Sequence, residues 1–118
     1  SGTNTRTDAY GGSIQNRIRI LIEVIEHILK IWPAHRVGIR LSPVSTFNNM
    51  FDESPFQTFS TLVETINPYH LAYIHCIEGT ARDKRPLNDE FDFIKLRNQF
   101  NGLYIANNLL PIPTWFID

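Results

Sequence analysis

Apolar residues recur at Ile14, Ile18, Leu21, Ile22, Ile25, Leu29 and Trp32, mostly three or four apart, which is the signature of one face of an amphipathic helix. The pattern predicts a helix over residues 13–32. Ser13 follows Gly11 and Gly12 and is placed to accept from a first-turn amide that has no helical partner, while Pro33 stops the helix. The run "RVGIRLSP" then loses the helical period and gathers β-branched and apolar residues, so residues 36–42 read as a strand covered on both faces. After the polar stretch "VSTFNNMFDESP", the positions Phe56, Phe59, Leu62, Val63 and Ile66 restore helical spacing up to Asn67 and Pro68. "LAYIHCI", residues 71–77, is a second strand. The loop "EGTARDKRPLNDE" carries charges of both signs without periodicity and is expected to be solvated. "FDFIKLRNQF" has helical spacing again, and "GLYIA" is a third strand.

The order helix, strand, helix, strand, helix, strand, with long connections, predicts an α/β fold with about three parallel strands and three helices. It suits either a doubly wound sheet or part of a (β/α)8 TIM barrel, and periodicity does not separate the two. Both place ligands beyond the C-terminal ends of the strands, which directs attention to residues 40–48, 75–82 and 107 onward.

Size and charge narrow the picture. The chain has 118 residues, enough for one core, with 42% apolar and 19% charged residues. Eleven basic residues against twelve acidic ones give a formal charge of -1, with no basic run to neutralise a series of phosphates, so nucleic acid is not an expected partner. Charged residues interrupt the longest apolar segment, so no membrane span is expected, and no signal peptide is visible. The single Cys76 excludes an internal disulfide and agrees with a cytoplasmic location.

Arg40 lies between Ile39 and Leu41 inside a strand, where a guanidinium needs acceptors around it. Two readings stand: an internal ion pair with a carboxylate, or donation to an electron-rich ring or phosphate of a ligand. Phe47 and Asn48 follow at the same strand mouth, although turn chemistry alone also explains the asparagine. His75, Cys76 and Glu78 invite a metal reading, but adjacent strand residues point to opposite faces, so no metal site is expected. Arg6, Asp8, Arg17 and Arg19 are expected to brace the segment "NTRTDAYGGSIQNRIR" against the scaffold.

Four motifs, "NTRTDAYGGSIQNR", "RVGIRLSPVSTFN", "LAYIHCIE" and "FDFIKLRNQFNGLYIANN", in that order and at those distances, resemble the old yellow enzyme family of flavin-dependent ene-reductases. The resemblance implies an FMN-binding (β/α)8 barrel in which a nicotinamide dinucleotide, NADH or NADPH, supplies hydride that the flavin passes to an activated C=C bond of a small-molecule substrate. It implies that Arg40 lies beside the pyrimidine edge of the flavin, where a fixed positive charge stabilises the reduced ring. It implies that Asn107 and Asn108 mark the strand end that approaches the FMN phosphate, and that Phe47 and Asn48 lie near the substrate. The family's substrate-binding histidine pair, or histidine and asparagine, and its tyrosine proton donor belong to sequence preceding Ser1, so no catalytic residue is assigned in this chain.

Residues 1–108 are thus expected to be a central fragment of the barrel, and residues 109–118 a non-matching tail. In the family a glycine follows the asparagines, where Leu109 stands here. The tail reads as a truncation or frame-change product more readily than as a contact surface. The isolated chain is expected to be inactive and to self-associate through exposed barrel edges. An alternative is a stand-alone α/β binding or assembly module without catalytic activity.

Overall fold

The computed structural model describes residues 2–44, 51–79 and 91–107. Three strands form one parallel sheet in the order β1 (Gly38–Leu41), β2 (Tyr73–Ile77), β3 (Leu103–Asn107). They alternate with α1 (Ile14–Leu29), α2 (Pro55–Ile66) and α3 (Phe93–Asn98), as the sequence pattern predicts.

Ser13 caps α1 by accepting from the Asn16 amide, and Ile18 and Ile25 are its buried positions. The helix ends at Leu29, three residues before the predicted end at Trp32. Pro33 disfavours the α conformation in the residue before it, so the chain tightens instead, with the Lys30 amide donating to His27 and the Ile31 amide to Ile28. Strand β1 is also shorter than expected, because residues Ala34–Arg36 are taken up by a 3-10 turn. At the C-terminal end of α2 the backbone turns over through His70, whose φ is 56°, and the Asn67 side chain accepts from the Asn101 amide. Asp92 caps α3 by accepting from the Lys95 amide.

The core lies between the sheet and the helices. Ile74 and Cys76 of the central strand are fully buried against Leu62, Val63 and Ile66 of α2 and Leu96 of α3. Phe91 packs edge-on to Phe56 at 5.4 Å between ring centroids, closing the α2 and α3 end of that core. The helices cover one face of the sheet only. Ile39, Leu41, Ile74, Cys76 and Tyr104 pack on that side. On the other side Arg40, Tyr73, Leu103 and Ile105 are exposed, Leu103 by 62%. Among the described residues the second face of β1 is open, because all three helices lie on one side. Gly38 is on the open face, where a Cβ would fall 2.2 Å from the Tyr73 ring, so this position holds no larger residue without moving that tyrosine.

The N-terminal segment is braced as its charges suggest. Arg6 pairs with Asp8, Arg19 donates to the Ala9 carbonyl, and Arg17 reaches Asp52 at 3.4 Å. Gly11 is required in this turn, since a Cβ would lie 2.0 Å from the Arg6 carbonyl oxygen. The Arg6 guanidinium, with the Tyr10 amide, holds the Asp8 carboxyl down at about 2. A carboxylate whose pKa is lowered in the folded state contributes fully above its ordinary value of about 4 and loses that contribution as pH falls through the lowered one. The Tyr10 amide resonance is therefore expected to titrate with a midpoint near pH 2 and to lose that titration in Asp8→Asn. A midpoint near the ordinary value of about 4 would contradict the brace.

Candidate functional site

Parallel pairing brings the C-terminal ends of all three strands to one edge of the sheet, and the two-residue period of a strand decides which side chains reach the open face. In register, Arg40 of β1 lies opposite His75 of β2, which lies opposite Ile105 of β3. One step further along the same face, Ile77 lies opposite Asn107. Arg40, His75 and Asn107 therefore share the open face near the strand ends, and the Asn107 Nδ2 lies 3.1 Å from the His75 Nε2.

Arg40 forms no ion pair among the described residues, and no Asp or Glu stands on this face of the three strands. The ion-pair reading thus finds no carboxylate within the described sheet. A guanidinium is permanently charged and carries only donors, so at this position it can donate to an acceptor-rich or negatively charged group. Of the other expected site residues, Asn107 is described and joins His75, whereas Phe47, Asn48 and Asn108 lie outside the described residues.

His75 and Cys76 face opposite ways, as strand geometry requires. Cys76 is buried under the helices, and no group of three or more His, Cys, Asp or Glu is placed to hold a metal ion among the described residues. His27, His35 and His70 are exposed. Glu78 corrects the reading of its segment as solvated: it is fully buried. Its amide donates to the Asn107 carbonyl at 2.9 Å, its carboxylate accepts from the Tyr104 hydroxyl at 3.1 Å, and Arg97 stands 4.0 Å away. Burial raises the Tyr104 phenol well above its ordinary range, and the neighbouring Cys76 and Glu78 push it the same way, so it remains a neutral donor. Glu78 thereby ties the end of β2 to β3 next to Asn107. Sequence reasoning missed both the burial of Glu78 and the pairing of His75 with Asn107. The first had no local signal, because a charge after a strand usually enters solvent, whereas the second was available from side-chain parity once the strands were aligned.

The family model described as the NADH:flavin oxidoreductase / NADH oxidase family matches residues 1–109. The chain is 39% identical over 112 residues to 12-oxophytodienoate reductase 1 of Oryza sativa subsp. japonica, a match covering 87% of this chain and 28% of that protein. Among solved structures, morphinone reductase in complex with tetrahydroNAD superposes with a TM-score of 0.77 at 34% identity, over 90% of this chain and 28% of that one. The old yellow enzyme homologue from Zymomonas mobilis superposes with a TM-score of 0.79 at 28% identity, over 90% and 30% respectively. The chain thus spans about 28% of the length of the curated relative and the reductase structure it matches.

Proposed function

The chain belongs to the NADH:flavin oxidoreductase / NADH oxidase family, and from this we propose that residues 1–108 are the central part of the FMN-binding (β/α)8 barrel of an ene-reductase. The carrying observation is the open sheet face, on which Arg40, His75 and Asn107 converge at the strand ends while every described helix packs on the other side. A barrel requires this arrangement, since its helices form the outer ring and the opposite face lines the interior.

The residues present fit FMN. The exposed guanidinium of Arg40, with no carboxylate beside it on the described face, matches the acceptor-rich pyrimidine edge of a flavin. When bound, FMN supplies hydride transfer from NADH or NADPH to an activated C=C bond of a small-molecule substrate. Arg40 contributes a preorganised positive charge where negative charge grows on reduction, and no reorganisation is needed at that moment. Asn107 presents an amide at the strand end, and Asn108, Phe47 and Asn48 complete the reading as phosphate-side and substrate-side residues. The choice of nicotinamide rests with parts of the barrel beyond these strands. No described helix is long and apolar enough to cross a membrane, and a reduced, buried Cys76 supports a cytoplasmic location. Residues 109–118 are read as a tail outside the barrel pattern.

With three described strands of the eight a barrel needs, the isolated chain is expected to retain no FMN through desalting, to oxidise no NADPH and to self-associate through the edges of β1 and β3. A graft in which residues 1–108 replace the matching segment of the rice 12-oxophytodienoate reductase 1 is expected to hold FMN and to reduce an α,β-unsaturated ketone. A folded graft without flavin would overturn the proposal.

A further inference from the structure

We infer that His75 is a second donor on the cofactor side of the sheet, an imidazole whose N–H Asn107 fixes on Nδ1; the cofactor part of this rests on the flavin reading above. The geometry is local. The Asn107 amide nitrogen lies 3.1 Å from His75 Nε2, and an amide nitrogen only donates, so Nε2 accepts and carries no proton. The register partner of His75 on β1 is Arg40. Its other neighbours on that face are Tyr73 and Ile77 on its own strand and Ile105 and Asn107 on β3. Arg40 is the one charged group among them, Tyr73 the one other titratable group, and none is a carboxylate. With Nε2 accepting from Asn107, the N–H on Nδ1 is the remaining polar group of the ring.

Arg40 and His75 together form a row that offers hydrogen-bond donors and no acceptor. Such a row suits a ligand edge rich in carbonyl oxygens and unprotonated ring nitrogens, and it disfavours a cation. In the flavin reading this edge is the pyrimidine-dione part of FMN, and His75 extends along the sheet the recognition that Arg40 begins.

Two measurements decide the inference independently. Nitrogen-15 NMR of the histidine-labelled 118-residue chain, with His75 assigned by its loss in His75→Gln, is expected to show the uncommon tautomer with the proton on Nδ1. Asn107→Leu should return it to the ordinary mixture. An Nε2–H tautomer in the unaltered chain would overturn the inference. In the reductase graft, His75→Leu is expected to weaken FMN binding about tenfold, the loss of one hydrogen bond to a polar ring edge, while His75→Gln, which keeps an N–H donor, stays within about twofold. If Arg40→Met weakens FMN and His75→Leu does not, His75 has no such role and the flavin reading stands. If neither variant changes FMN affinity, the flavin reading of this face fails and the inference with it.

Discussion

Replacing Arg40 with methionine in the grafted barrel is expected to slow flavin reduction by the nicotinamide by roughly 10²–10³-fold, the typical consequence of removing one preorganised donor from a site where charge develops. The side chain stands on the open face, its register partner is His75, and no carboxylate on that face of the described strands neutralises it. Under the flavin reading proposed above, its charge is therefore available to the bound ring. Methionine keeps the length and the apolar stem while removing both the charge and the donors, so the fold should survive. Arg40→Lys is expected to recover part of the rate, because an ammonium restores the charge without the planar fork of donors. Stopped-flow recording of flavin bleaching after mixing with NADPH measures the rate directly. The midpoint potential should fall in the same variant, since the positive charge favours the reduced ring. An Arg40→Met barrel that is reduced at the unaltered rate would remove Arg40 from the site.

The second large effect concerns stability. Ile74→Ala is expected to cost about 2–5 kcal/mol, since it deletes a fully buried side chain at the centre of the middle strand and leaves a cavity between sheet and helices. Intact domains have a net stability of only about 5–15 kcal/mol, so this one change consumes a large fraction of the margin. Ile105→Ala makes the informative comparison. Ile105 lies on the open face and is partly exposed in the described sheet. In the isolated chain its loss should hardly move the urea midpoint, whereas in the grafted barrel, where that face is interior, its cost should approach that of Ile74→Ala. Equal and small effects of Ile105→Ala in both settings would show that the face is not buried in the barrel.

The fold was legible in the sequence wherever one physical signal dominated. The helical period from Ile14 to Leu29 and the caps at Ser13 and Asp92 fix their elements almost alone. Boundaries were less legible where two local effects compete: Pro33 both shortens α1 and starts the turn that takes Arg36 out of β1. The choice between an open sheet and a barrel was not available from periodicity, because β1 reads as fully buried in either case. It became available from the motifs around Tyr10, Arg40 and Glu78, and the family match agrees with them. Of the expected site, Arg40 and Asn107 fall on one face at the strand ends, whereas Phe47, Asn48 and Asn108 lie outside the described residues. The role of His75 stayed hidden because its meaning depends on Asn107, distant in sequence, and on the alignment of β2 with β3. Glu78 was misread for the same reason, since the groups that satisfy its carboxylate lie on β3 and α3.

The central claim is that the helix-free face of this sheet is the wall on which the flavin rests. A crystal structure of the FMN-loaded graft tests it most directly. The expected result places the Arg40 guanidinium within hydrogen-bond distance, about 3 Å, of the pyrimidine edge of the flavin, with His75 in the same row and the helices on the far side of the sheet. A flavin bound elsewhere in the barrel, with Arg40 and His75 both directed away from it, would contradict the account.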